Sequence, residues 1–159
     1  ITTSKELANI INDAKKNYNN YKKNPATKTF QAIRIFVNQE LTELILGLIL
    51  ATELLPKDGM LIVVNFHSLE DKIVKFFFKL YSNLNKNPSR YIPLQQTKSN
   101  LFTLVSKKPL RPDTKEISKN IQSRSAKLRY AIRNNSLFYY PYEFKKKFEN
   151  YCKLEEIRL

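Results

Sequence analysis

Three residue types are scarce in this chain, and each scarcity closes off a class of chemistry. One cysteine, Cys152, leaves no internal disulfide and no cysteine-rich metal cluster, a usage that fits a reducing cytoplasm. Its thiol is expected to do no more than pack. One histidine, His67, argues against a histidine-based metal site, so no metal is expected. Two glycines, Gly47 and Gly59, do not make a phosphate- or methionine-binding loop. Long apolar runs are missing too. The longest, residues 44–51, is flanked by Glu40, Glu43 and Glu53 and falls well short of the roughly 20 residues that span a bilayer. No signal peptide is visible, and a start at Ile1 rather than Met is what a fragment would show.

What is present suits a globular protein. The 159 residues are 42% hydrophobic, enough for one domain or part of one with a real core. The net charge of +14 is uneven: residues 1–80 hold 11 basic and 8 acidic side chains, residues 81–159 hold 17 and 6. A polyanion would therefore sit on the second half. Codon bias competes as an explanation, because Asn and Ile are also abundant and share A- and T-rich codons with Lys.

Hydrophobic spacing divides the chain into elements. Thr3 and Glu6 form a capping box ahead of Leu7, Ile10, Ile11 and Ala14, which predicts a helix over residues 4–17 and a polar loop over 17–24. Ile33, Val37, Leu41, Leu44, Leu48, Ala51 and Leu55 then recur at steps of four and three, predicting one long helix that Pro56 ends. The same helix bears a second stripe, Thr27, Gln31, Arg34 and Asn38. These are mostly short, directional groups rather than the Lys and Glu of a solvated face, so they are candidates for lining a cleft. After a turn at Lys57-Asp58-Gly59, residues 60–66 read as a strand buried on both faces, as in a parallel sheet. A helix over 69–81 turns Ile73, Val74, Phe77 and Leu80 inward, and 82–100 is a polar surface loop. Residues 101–105 and 126–132 are strands expected to pair antiparallel at a sheet edge, the second with Ala126, Leu128, Tyr130 and Ile132 alternating against Lys127, Arg129 and Arg133. Between them lie a stiff basic loop, 107–112, and a short helix, 114–119; Phe144, Phe148 and Tyr151 mark a last helix packed on the body.

The most informative stretch is Asn65-Phe66-His67-Ser68-Leu69-Glu70-Asp71, where a strand runs into a helix. Open α/β sheets bind ligands at such junctions, because the first N–H groups of the helix lack intrahelical partners. Ser68 as N-cap and Asp71 three residues on can cap the helix reciprocally, while Glu70 and Asp71 oppose its dipole. His67 is left over. A lone histidine here is more often a satisfied hydrogen-bonding group than a catalyst.

Four segments stand together: PATKTFQAIRI at 25–35 with Val37-Asn38 and Glu40-Leu41, FHSLED at 66–71, KPLRP at 108–112, and RSAKLR at 124–129. With Thr2-Thr3 and Glu6-Leu7-Ala8, they make residues 1 to about 133 closely resemble the RsmH (MraW) family. The resemblance implies S-adenosylmethionine-dependent methylation of the N4 amine of a cytosine in small-subunit ribosomal RNA. It also implies an α/β fold, the C-terminal half of a Rossmann-like methyltransferase sheet. Residues 60–66 would be its fifth strand, a buried parallel one, with 101–105 and 124–133 as a terminal antiparallel hairpin. Residues 1–26 would belong to a helical insertion domain, 27–136 to the methyltransferase domain, and 137–159 to an aromatic and basic tail. Asn65 stands where the family usually has Ser, and Lys28 where it has Arg.

The family's Gly-rich cofactor loop and ribose-binding acid precede the matched region, so no cofactor-binding residue is expected in this fragment. Methylating an exocyclic amine needs the base held edge-on and its leaving proton accepted. The resemblance assigns this work to His67, Ser68 and Asp71 at the strand end, with Gln31, Arg34 and Asn38 on the helix. Phe66 is a candidate platform for a base drawn from its stack. Arg111, Arg124, Lys127 and Arg129 would hold phosphates. The partner would be small-subunit ribosomal RNA or the small ribosomal subunit. A reading from another class is a non-catalytic RNA-binding or ribosome-associated module.

Overall fold

A computed structural model describes residues 1–15, 24–82 and 100–156, so most of both expected loops, 17–24 and 82–100, lies outside the described residues. In chain order the elements are α1 (Ser4–Ala14), α2 (Thr27–Asn38), α3 (Glu40–Leu54), β1 (Met60–Asn65), α4 (Ser68–Tyr81), β2 (Phe102–Leu104), α5 (Thr114–Lys119), β3 (Lys127–Arg133) and α6 (Tyr142–Glu155). A 3₁₀ turn, Ile121–Ser125, leads into β3 and takes Arg124 out of the strand. The Thr3 cap forms as expected, with the N–H of Glu6 donating to Thr3 Oγ1 at 3.2 Å.

The single long helix of the sequence reading is two. Gln39 takes the left-handed conformation, φ 52°, and α2 and α3 meet at a bend of 52°. Together the pair has the length and apolarity of a membrane span; among the described residues no single helix does. The bend resets the helical register, so Ile33 and Val37 face outward and Ile35 is the residue of α2 that is buried. In α3 apolar side chains occur nearly all round. Leu41, Ile45, Leu48 and Ile49 are buried there, where α3 packs against α2, α4 and α6.

The sheet has the order β1-β3-β2 and is antiparallel throughout, with Met60 opposite Ile132, Asn65 opposite Lys127, and Phe102 opposite Arg133. This corrects the expected parallel strand buried on both faces. Leu61, Val63 and Ala131 pack into the core shared with α4. The other face carries Met60, Ile62 and Val64, which are 48%, 54% and 51% exposed, opposite Ile132, Tyr130 and Leu128. The alternation in β3 is therefore real, but its apolar set lies on the open side. Ala131 is fully buried instead, and Arg133 is inward because its guanidinium donates to the carbonyls of Leu101, Asn134 and Ser136 at 3.2, 2.9 and 2.7 Å.

The core is aromatic. Phe77 of α4 has Tyr81 and Phe144 within 4.9 Å between ring centres, and Phe78 meets Phe102 edge-on at 5.7 Å. Phe144, Phe148 and Cys152 are buried along α6, which closes the core beside α3 and α4.

Candidate active-site groove

The bend at Gln39 and the β1–α4 turn face each other, and between α2 and the turn lies an open groove of about 370 Å³. Thr27, Phe30, Gln31 and Arg34 line it from α2, and Phe66 and His67 from the turn. Five of the residues singled out in the sequence, Thr27, Gln31, Arg34, Phe66 and His67, thus meet in one place, with Phe66 presenting an exposed ring.

The turn itself is built one residue earlier than the sequence suggested. His67, not Ser68, is the N-cap of α4: its backbone is extended, and its Nδ1 accepts from the N–H of Glu70 at 3.4 Å. Glu70 reaches back to the N–H groups of Phe66 and His67 at 3.1 and 3.4 Å. The capping box is therefore His67 with Glu70, and Ser68 sits exposed in the first turn. An imidazole nitrogen does here what a hydroxyl usually does, satisfying an orphan helix N–H.

With Nδ1 accepting, the proton of neutral imidazole falls on Nε2. That atom is buried, its side chain only 10% exposed, and it makes no hydrogen bond of good geometry among the described residues. Two carboxylates flank it, Glu70 Oε1 at 3.3 Å and Glu40 Oε2 at 3.9 Å. Glu40 also accepts from Arg34, Nε at 2.7 Å and the terminal nitrogen at 3.1 Å, and from Asn38 at 3.4 Å. Desolvation opposes the charge on Glu40, but the hydrogen bonds from Arg34 and Asn38 outweigh it and hold the carboxyl below its ordinary range.

Glu40, His67 and Glu70 have ligand atoms within 4.8 Å of one another, a spacing a divalent cation could use. The chemistry of the cluster argues otherwise. His67 Nε2 holds a proton, Glu40 is already paired with a guanidinium, and Glu70 is occupied by backbone N–H groups at a helix N-terminus, where the dipole repels cations.

Asp71 does not join the groove. One oxygen accepts from Lys127 Nζ and the other from Arg129 Nε, both at 2.8 Å, which ties the first turns of α4 to β3. Burial works against its ionisation, yet the hydrogen bonds and charges of Arg129 and Lys127 prevail and lower its pKa. Lys127 and Arg129 are thereby turned toward Asp71, whereas Arg111 and Arg124 are exposed. The loop bearing Arg111 is pinned to β3, since Leu110 and Leu128 exchange two backbone hydrogen bonds of 2.9 Å.

Sequence reasoning missed Glu40, Glu70, Phe30 and Asn65. Asn65 is 2% exposed and its amide finds no partner among the described residues, an unsatisfied polar group at the end of β1. The family model of the MraW methylases matches residues 1–134. The chain belongs to the MraW methylase family. It is 42% identical over 136 residues to the ribosomal RNA small subunit methyltransferase H of Ruegeria sp. (strain TM1040), covering 86% of this chain and 41% of that protein. The proteins of the same name from Borreliella afzelii (strain PKo) and Ehrlichia canis (strain Jake) are each 47% identical, over 129 and 133 residues; the matches cover 81% and 84% of this chain and 38% and 42% of those proteins. The chain thus spans about two fifths of the length of these relatives.

S-adenosylmethionine, which a methylase implies, needs a backbone cradle after a strand. The β1–α4 turn contains no glycine. Gly47 lies inside α3, and a Cβ on Gly59 would fall 2.8 Å from the Leu55 side chain and 2.9 Å from the Pro56 carbonyl, so that glycine serves a packed turn. The described residues of this chain therefore hold no such glycine cradle and do not fit the cofactor.

Proposed function

We propose that this chain is the substrate-facing part of an S-adenosylmethionine-dependent methyltransferase acting on the N4 amine of a cytosine in small-subunit ribosomal RNA. The observation that carries the reading is the convergence of Gln31, Arg34, Phe66 and His67 on one groove in a MraW methylase. In this reading a base drawn from its stack lies against Phe66, and Gln31 and Arg34 address its polar edge. His67 holds the strand end in place and offers an N–H flanked by carboxylates, with Glu40 positioning both it and Arg34. Ser68 and Asp71 support the turn around it. Exposed Arg111 and Arg124 meet phosphates, and Lys127 and Arg129 do so where Asp71 leaves them donors to spare. The cofactor site belongs to the part of the protein that the relatives have and this chain does not span.

Two measurements test the reading. The 159-residue chain alone should show no micromolar affinity for S-adenosylmethionine by calorimetry; such affinity would refute the division of labour. Joined to the remaining part of a relative, it should transfer methyl groups to small-subunit RNA, and mass spectrometry of the digested RNA should find N4-methylcytidine. RNA binding without any methylation would favour a non-catalytic module.

A further inference from the structure

Away from the groove, the outward face of α4 carries Lys72, Lys75 and Lys79, about one per turn, at steps of three and four residues. Two hollows open on this face and share Lys75 and Lys79. One, of about 280 Å³, is floored by Phe78 and Leu104 and closed by Lys107 and Arg129. The other, of about 160 Å³, is floored by Phe76 and Phe148 and closed by Lys72 and Lys147. Among the described residues no acidic side chain lines either hollow.

A solvated helix face would mix signs, as α6 does where Lys153 pairs with Glu149 at 2.7 Å. Here Lys72, Lys75, Lys79, Lys107 and Lys147 make no ion pair among the described residues, and Lys147 instead lies 4.9 Å above the ring of Phe76. Unpaired cations around apolar, aromatic-floored hollows are what single-stranded nucleic acid uses, phosphates on the rim and sugar or base within. We propose that the α4–β2–α6 face is a second RNA-binding surface, which takes the single-stranded RNA chain flanking the nucleotide in the groove. The inference rests on the reading of the substrate as RNA. Because His67 caps α4, the helix lysines extend from the groove for about 18 Å along the helix axis as far as Lys79.

The test is binding of a labelled single-stranded oligonucleotide of small-subunit ribosomal sequence to the full 159-residue chain, measured across salt concentration. Lys75→Gln, Lys79→Gln and Lys147→Gln keep part of the aliphatic stem and remove the charge. Each should weaken binding several-fold at low salt and lower the log–log salt slope by about 0.7, the value for one single-strand phosphate contact. Lys5→Gln and Lys57→Gln, on α1 and in the turn before β1, should leave both unchanged. Equal effects from the control pair would overturn the proposal, as would lysine-dependent binding to phosphatidylglycerol vesicles without binding to the oligonucleotide. Methylation by the reunited protein is a separate readout. Its failure with the lysine dependence intact removes the catalytic reading alone, and its success without that dependence removes this surface alone.

Discussion

At the scale of single residues, the cap of α4 falls on His67 and not on the expected Ser68. His67 and Glu70 share the capping work and Ser68 takes no part in it, so Ser68→Ala should change stability by no more than a few tenths of a kcal/mol, whereas Glu70→Ala should cost about 1 kcal/mol. Chemical denaturation of the two variants separates these values. Asp71 has a different signature. Its carboxyl pKa is lowered in the folded state, so its contribution is present above the ordinary carboxylate range and is lost as pH falls through the lowered value. Asp71→Asn should destabilise by roughly 1–3 kcal/mol at neutral pH, between the values for exposed and fully buried pairs, and the variant's loss of stability on acidification should be shallower than the parent's. An unchanged acid limb would show that the Lys127 and Arg129 contacts contribute nothing. Glu40 acts through others. In the reunited protein Glu40→Gln should lower kcat more than it shifts the melting temperature, because Arg34 and His67 lose their shared anion, and Glu40→Asp should restore part of the rate.

At the scale of elements, the joint between α2 and α3 shows where reading the sequence ran out. A non-glycine residue in the left-handed region costs on the order of 1 kcal/mol, and nothing local announces it. Leu41, Leu48 and Leu55 follow one stripe with Ile33 and Val37 in sequence, and a straight helix satisfies that pattern equally well. The consequence was large. Arg34 and Glu40, six residues apart, stand on different faces of a straight helix, and only the bend lets them pair at 2.7 Å, so Glu40 was invisible as a site residue. Gln39→Val, β-branched in the left-handed region, should destabilise by about 1–2 kcal/mol and loosen the Arg34 pair with it. Calorimetry of the variant checks the first effect. Elements whose signals are local were legible: the Thr3 cap, the short helix Thr114–Lys119, the inward side of α4, and the antiparallel pairing of β2 with β3. The Gln31 and Arg34 stripe was legible as a cleft for the same reason. The faces of β1 were not, because an apolar run does not say whether both of its sides are covered.

At the scale of the molecule, the sheet has one packed face and one open one, and β1 has a strand on one side only among the described residues. An open apolar face and a free edge are association surfaces. The isolated chain should therefore sediment as concentration-dependent species, and joining it to the remaining part of a relative should give a single one; analytical ultracentrifugation distinguishes the two. The antiparallel order also sets a timetable. Met60 pairs with Ile132, so about seventy residues must be made before β1 gains its neighbour. At roughly 5–20 residues per second on the ribosome, that strand waits about 4–14 seconds after its own synthesis. For that interval Leu61 and Val63 lack the packing that β3 brings, and among the described residues made by then the helices α1 to α4 are what can shelter them.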